Sequence, residues 1–351
     1  MNFGCGVERT VARGLKMKID AERVERFCTT ALLALGTKAD DAHVVARHLV
    51  DADLRGVRSH GLLRLIKYVE QIDSGYISNR AEIQTAQIAP NLMRSDANMN
   101  FGIIAFDHLI PDIVALTRST GIAGGAVVNC AHTGRIGAYS EALAREFMWG
   151  SVFGGGGNKR LKEVAPYGGS KGVFDTNPYA FSMPLDAQQT TTSDFATSAT
   201  AQGKLLVFRT NHAPVPDGWL IDKHGRPTTN VDDFYEGGAM LPSAGTKGYG
   251  MGFMAELFGD AVLGTPHELN WFIVAVDLKR FVDPGDYFQA ASHLKQEIEQ
   301  CPPADGFARV MWPGQPEIER LQRQSAEGID YSEDELRSLA GLEARFSMKL
   351  N

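Results

Sequence analysis

Apolar positions recur at helical spacing through the first fifth of the chain, then give way to short apolar runs broken by glycine and proline. The pattern over residues 20–75 predicts three helices. Asp20 can cap the first and Gly36 ends it, while Asp40 and Asp41 sit in the first turn of the second, where the helix dipole favours acids. The second carries Val44, Val45, Leu49 and Ala52 on one stripe and closes at Gly56. The third opens at Leu62, runs through Leu65 or Ile66, Val69 and Ile72, and ends at Gly75. Residues 84–105 read as short strands split by Pro90 and by Asp96-Ala97-Asn98. A helix near 109–119 stops at Gly121, a strand spans Ala123 to Asn129, and a glycine loop leads to a helix over 138–148 closed by Gly150. Beyond it lie four consecutive glycines, Gly154 to Gly157, and a sharp turn, Thr176-Asn177-Pro178, before the apolar run Tyr179 to Met183. Strands are expected at 191–196 and 204–209, a buried helix with small residues on one face at 248–263, and a strand from Phe272 to Val276. Helix follows at 286–300 and through the charged tail, 316–347.

Length and composition set the scale. The 351 residues suffice for about two domains, and 44% hydrophobic with 22% charged residues allows a large core. A net charge of −7 with no run of Lys or Arg argues against a nucleic-acid partner. No apolar stretch reaches the length of a membrane span. Residues 1–16 lack the apolar segment of a signal peptide and read as a tail, with Met17 the expected functional start. Cys5, Cys28, Cys130 and Cys301 are scattered with no CxxC, which suits free thiols in a reducing, cytoplasmic setting.

Several familiar motifs are missing. Gly250-Met251-Gly252-Phe253-Met254-Ala255 matches GxGxxA, but no strand precedes it, so it reads as small residues that let a helix pack closely. There is no GxxxxGK[ST], no HExxH, no clustered Cys/His set and no GxSxG; no metal is expected. The richest local pattern is Arg55-Gly56-Val57-Arg58-Ser59-His60-Gly61-Leu62-Leu63-Arg64. It brings an imidazole, a hydroxyl and a helix N-terminus together, with Arg64 off the apolar stripe, a set suited to a small carboxylate. The plainer reading is a loop histidine beside a solvated arginine. His132 lies just past a predicted strand's carboxyl end, where α/β proteins place ligands. Asp194, in Asp194-Phe195-Ala196-Thr197-Ser198, can orient a histidine or simply cap a turn; the cap is the favoured reading of the residues alone. Lys247, in Gly245-Thr246-Lys247-Gly248, suits a phosphate, a ribose or ordinary solvation.

These segments in order, together with Ala165-Pro166-Tyr167-Gly168-Gly169, Thr176-Asn177-Pro178 and Pro313-Gly314, resemble the malate/L-lactate/ureidoglycolate dehydrogenase family from about Met17 to Glu319. The resemblance implies an α/β fold that is not a Rossmann fold, like that of sulfolactate dehydrogenase. It implies an N-terminal helical region and a mixed-sheet cofactor-binding domain. The expected division is a tail at 1–16, a discontinuous domain of 17–105 plus about 265–351, and an NAD(P)-binding domain of about 106–264. It further implies hydride transfer between NAD or NADP and a small 2-hydroxy or 2-oxo acid, in a homodimer. By the same resemblance His60 is the acid/base, Asp194 orients it, and His132 is a second candidate acid/base. Ser59, Arg64, Thr176 and Asn177 would meet substrate; Ser193, Asp194, Phe195, Ala196, Thr246, Lys247, Gly314 and Gln315 would meet cofactor.

The chain also departs from the family pattern. Asp175 stands where the family often has glycine before Thr-Asn-Pro, Gln315 stands where it often has glutamate, and 154–163 looks longer than in several relatives. Within the same chemistry the alternative is reduction of a cyclic imino acid. A cofactor-independent lyase built on His60 and Asp194, or a binding protein without catalysis, are the readings from other classes.

Overall fold

A computed structural model describes residues 16–157, 161–264 and 266–350. The expected tail and Cys5 fall outside them, as do residues 158–160 of the segment read above as longer. The chain divides into two compact units. One contains the described residues up to Gln71 and those from Glu317 onward; the other is Ile72–Pro316.

The first unit holds β1 (Lys16–Ile19), α1 (Ala21–Ala34), α2 (Ala39–Leu54) and α3 (Arg64–Asp73). From the far end of the chain come α10 (Gln315–Glu327), β12 (Ile329–Ser332), α11 (Glu333–Ser338) and α12 (Ala340–Phe346), numbered in chain order with the elements below. Asp20 caps α1 through the N–H groups of Glu22 and Arg23. Val45, Leu49 and Ala52 are buried on α2 and Val44 is half-buried, close to the expected stripe. α3 begins at Arg64, because Arg58–His60 make a 3-10 turn first. The charged tail was expected to be helical throughout. β12 interrupts it, pairing antiparallel with β1 from Lys16↔Ser332 to Ile19↔Ile329 and burying Ile329 and Tyr331.

The second unit is built on a seven-stranded sheet of order β2-β3-β4-β11-β5-β6-β7. Its strands are β2 (Gln84–Ala89), β3 (Leu92–Asp96), β4 (Ile122–Val128), β5 (Met148–Gly155), β6 (Tyr179–Pro184), β7 (Thr190–Phe195) and β11 (Asn270–Asp277). β3 and β4 are parallel neighbours joined through α4 (Gly102–Thr120); the other pairs are antiparallel. α4 and α5 (Gly137–Arg145) cover one face, where Phe106, Leu109, Ile113, Tyr139 and Leu143 meet Trp271, Ile273 and Ala275. The remainder comprises α6 (Gln202–Thr210), β8 (Leu220–Ile221), β9 (Pro227–Thr228), α7 (Asp232–Tyr235), β10 (Ala239–Met240), α8 (Thr246–Leu257) and α9 (Pro284–Gln300). β10-β8-β9 form a small sheet over a second core with Val164, Phe174, Leu205 and Leu220.

Several local expectations are corrected. Residues 204–209 are helix, not strand: a short apolar run does not distinguish the two, and only Leu205 of α6 is buried. α4 starts at Gly102, well before 109, because Phe101 to Phe106 are all buried and so lack an amphipathic signature; Pro111 stands on its exposed side. α5 ends at Arg145, and Gly150 lies inside β5. The 248–263 helix is not buried all round, since Phe253, Met254 and Leu257 are exposed. Its small residues do allow close packing: a Cβ on Gly248 would sit 2.1 Å from the Ser243 carbonyl, and one on Gly155 of β5 would sit 2.0 Å from that of Ala255. The division at 105 and 265 would separate β3 and β11 from strands they pair with, whereas all seven lie in the second unit. Among the described residues no helix is long and apolar enough to cross a membrane.

Candidate active site

Each unit carries part of the expected chemistry. In the first, α2 runs out at Leu54 and Gly56 turns the chain with φ +79°. Arg320 of α10 lies over that glycine, with its Cδ 2.8 Å from where a Cβ would be. The 3-10 turn then presents Ser59, which is exposed, and His60, which is half-buried. The Ser59 Oγ lies 2.9 Å from His60 Nδ1. Ser59, also expected to touch substrate, is placed to orient the imidazole through that nitrogen. Arg64, the first residue of α3, is half-buried, and its Nε is buried with no hydrogen-bond partner among the described residues. A buried guanidinium donor left unmatched is costly unless an anion completes it.

In the second unit, His132 follows the carboxyl end of β4 in a clamped loop. Its Nδ1 accepts the Gly134 N–H at 3.2 Å, so the neutral ring carries its proton on Nε2. Arg135 is buried against Glu141 through two bonds of 2.8 and 3.1 Å, and the Tyr139 hydroxyl donates to the Thr133 carbonyl. Asp194 is exposed on β7, and its Oδ2 accepts the Gly137 N–H at 2.9 Å. It therefore ties the edge of β7 to the first residue of α5.

The edge of β7 collects most of the residues expected to meet cofactor. Ser193, Asp194 and Phe195 are exposed and Ala196 is half-buried. The Pro313 carbonyl accepts from Thr192 N–H and the Thr191 hydroxyl, which sets Gly314 (φ +86°) against Thr192. Gln315 Oε1 accepts the Trp312 N–H, so this glutamine secures its own turn. Beyond β7, the Thr197 carbonyl accepts from Ser243 N–H and brings the start of α8 alongside. Thr246 and Lys247 are exposed there, and the N-cap residue, Gly245, has no side chain to cap that helix. An exposed strand edge, a left-handed glycine turn and a helix start with a glycine N-cap and a lysine fit an extended anionic dinucleotide.

Thr176 and Asn177 stand apart from this surface in kind. The Thr176 carbonyl accepts the N–H and hydroxyl of Thr197. Asn177 is fully buried, its Nδ2 donating to the Gly252 carbonyl at 3.0 Å and to Glu256 at 2.8 Å. They brace the β6 entry against α8. Asp175 is buried, which pushes its carboxyl up to about 6; burial and Asp175 push Glu163 up to about 7. Sequence reading passed over Glu256, Arg135, Glu141 and Asp53. Only Asp53 left a signal: a carboxylate spaced four residues after Leu49 on the buried face of α2. Among the described residues, no group of three or more His, Cys, Asp or Glu could hold a metal ion.

Comparison with known proteins gives a consistent result. A family model described as malate/L-lactate dehydrogenase matches residues 19–340. The NAD(+)-dependent ureidoglycolate dehydrogenase of Escherichia coli O157:H7 is 29% identical over 91% of this chain and 93% of its own length. The NADP(+)-dependent (2R)-3-sulfolactate dehydrogenase of Chromohalobacter salexigens is 29% identical over 92% and 98%. Among solved structures, malate dehydrogenase from Pyrococcus horikoshii superposes with a TM-score of 0.84 at 26% identity, covering 95% of this chain and 97% of that one. A delta1-piperideine-2-carboxylate reductase from Pseudomonas syringae shares the fold, with a TM-score of 0.82 at 24% identity over 93% and 99%.

Proposed function

Because the chain belongs to the malate/L-lactate dehydrogenase family, we propose that it is an NAD(P)-dependent oxidoreductase interconverting a small 2-hydroxy acid and its 2-oxo acid. The observation that carries the reading is the unmatched, buried Nε of Arg64 one turn beyond the Ser59–His60 pair. A guanidinium there takes the substrate carboxylate and fixes the carbonyl's orientation. With Nδ1 held by Ser59, His60 uses Nε2 to give a proton to the carbonyl oxygen and takes it back in the oxidising direction. Bound nicotinamide dinucleotide supplies or accepts the hydride at the substrate carbon. Ser193 to Ala196, Thr246, Lys247, Gly314 and Gln315 would hold it along the β7 edge. In this proposal His132 donates from Nε2 to the substrate, and Asp194 holds the start of α5 beside the cofactor edge. Thr176 and Asn177 act from behind, as the brace described above.

The same proposal includes a homodimer, and the open face of the seven-stranded sheet supports it. Phe272, Phe153 and Tyr179 lie side by side on β11, β5 and β6, with Phe195 next on β7. Phe181 stacks at 6.3 Å on Trp149 and lies 6.3 Å from Phe195. Phe153, Phe181, Trp149, Val274 and Met183 are half-exposed in the chain, and Phe195 is exposed. Four strands of this length present roughly 400 Å², about half of what one partner of a standard interface contributes. Phe258 packs on Phe153 and Phe272 and extends the platform toward exposed Leu257, Met254 and Phe253 of α8. A second copy meeting this face would cover it. The proposed location is the cytoplasm, in line with free thiols at Cys28, Cys130 and Cys301.

NADH and NADPH oxidation with 2-oxo acids and cyclic imino acids side by side tests the function. Turnover of 2-oxo acids supports it. Turnover of cyclic imines alone moves the chain to imine reduction, and failure to bind either cofactor favours the lyase.

A further inference from the structure

Asp53 is buried at the end of α2, 1% exposed, and the segment carrying His60 is folded around its carboxylate. Its Oδ1 takes the Arg58 Nη1 at 3.1 Å, two residues before His60. Its Oδ2 accepts the Leu62 N–H at 2.8 Å, two residues after His60. The Tyr331 hydroxyl of β12 donates to the same Oδ2 at 2.6 Å. Arg58 completes the frame from the other side: it lies 4.6 Å over the Tyr331 ring, and its Nη2 donates to the Asp330 carbonyl. Gln324 of α10 donates to the backbone carbonyls of Asp53 and Leu54 and accepts the Asp330 N–H. Gly61 shows how tight the frame is. Its backbone is extended, at φ −93° and ψ −156°, so conformation alone does not demand glycine. A Cβ there would lie 1.9 Å from Asp53 Oδ1 and 2.2 Å from its Cγ. The carboxylate fills the volume that any side chain at position 61 would need.

We propose that Asp53 is the positioning residue for His60, acting with Tyr331 and Arg58 as a bracket that fixes residues 58–62 from both sides. It touches neither substrate nor cofactor, and its effect on turnover passes through the imidazole. The proposal rests on His60 being the acid/base. The ionised carboxylate accepts all three donors as charge-assisted bonds, one on Oδ1 and two on Oδ2. Burial raises the Asp53 carboxyl, while Arg58, Tyr331 and the Leu62 N–H hold it down; from α1 the Cys28 thiol faces it, itself pushed up by burial. As pH falls, protonation removes an acceptor and loosens the bracket. Losing the Tyr331 hydroxyl removes one donor that favours the charged form. The carboxyl then protonates at higher pH.

The test is Tyr331→Phe, with Asp53→Asn as a second variant that keeps the side chain's shape. Turnover uses the best 2-oxo acid with its preferred cofactor, and hydrogen exchange by mass spectrometry reads the backbone without any substrate. Tyr331→Phe is expected to speed exchange in the 56–62 segment about tenfold, to lower kcat about tenfold, and to leave cofactor KM unchanged. The acid limb of its kcat profile is expected to move up by about one pH unit. Asp53→Asn should show the same local exchange with the largest kcat loss. A merely structural role would speed exchange evenly across the chain and leave the acid limb in place; that result, or unchanged exchange at 56–62, overturns the proposal. His60→Ala, assayed in parallel, separates the two claims. If it keeps turnover, the His60 reading fails and the bracket's role fails with it; if it is inactive while Tyr331→Phe behaves as wild type, only the bracket's role fails.

Discussion

Replacing Asp175 by asparagine isolates the cost of a buried carboxylate beside the Thr176-Asn177-Pro178 turn. Asp175 is 7% exposed, and its Oδ1 accepts the Thr176 N–H at 2.6 Å. Burial raises this carboxyl from 3.8 to about 6, opposed by the Thr176 N–H and reinforced by Glu256. Glu163 rises from 4.5 to about 7, through burial first and then through Asp175. Both folded values lie above the unfolded ones, so the folded chain retains protons that the unfolded chain has already released. Stability therefore falls as pH climbs from about 4 to about 7, and is lowest once both groups are ionised. The rise at Asp175 corresponds to about 3 kcal/mol at pH 8. Asparagine keeps the acceptor for Thr176 and carries no charge. Asp175→Asn should match wild type at pH 4 and gain about 3 kcal/mol by pH 8. Glu163 should also titrate lower once its charged neighbour is gone. Urea unfolding at pH 4, 6 and 8 reads both curves. A variant no more stable than wild type at pH 8, or stabilised equally at pH 4 and pH 8, would refute the reasoning.

Three further outcomes follow. Arg64→Ala should lower kcat/KM for the acid substrate by about 30- to 150-fold, mostly through KM, with cofactor affinity unchanged in titration calorimetry; Arg64→Lys should recover only part of it. Gly61→Ala should push its Cβ into the Asp53 carboxylate and cost about 1–3 kcal/mol in denaturant unfolding, with a larger proportional loss in kcat; unchanged turnover would mean that the turn tolerates displacement. Phe181→Glu on the open sheet face should yield a monomer by light scattering where wild type is a dimer; a dimeric variant would place the interface elsewhere.

Much of the fold was legible because its signals are local. Asp20, Gly36, Gly56 and Gly75 punctuate the first three helices where capping and left-handed φ require them. β6 follows from an apolar run beside turn residues, and β7 from a run of β-branched threonines. What escaped depends on distant partners. β12 is a strand because β1, more than 300 residues earlier, pairs with it. α4 hides its start because Ile103 to Phe106 are buried all round, which erases any amphipathic stripe. The site divides in the same way. His60 and Arg64 announce themselves by residue type in a glycine-rich turn. Asn177 carries the same motif signal yet is a buried brace, and Asp53 becomes visible only when Arg58, Leu62 and Tyr331 are seen converging on it.

The central claim is that His60 moves the proton while a nicotinamide cofactor exchanges hydride with a 2-hydroxy or 2-oxo acid. The direct test is absorbance-followed oxidation of NADH and NADPH across a panel of 2-oxo acids, for wild type and His60→Ala together. The account predicts turnover of at least one 2-oxo acid by wild type, and a loss of about 100- to 10,000-fold in His60→Ala with cofactor binding retained. Undiminished turnover in His60→Ala, or a wild-type chain that binds neither cofactor, would contradict it.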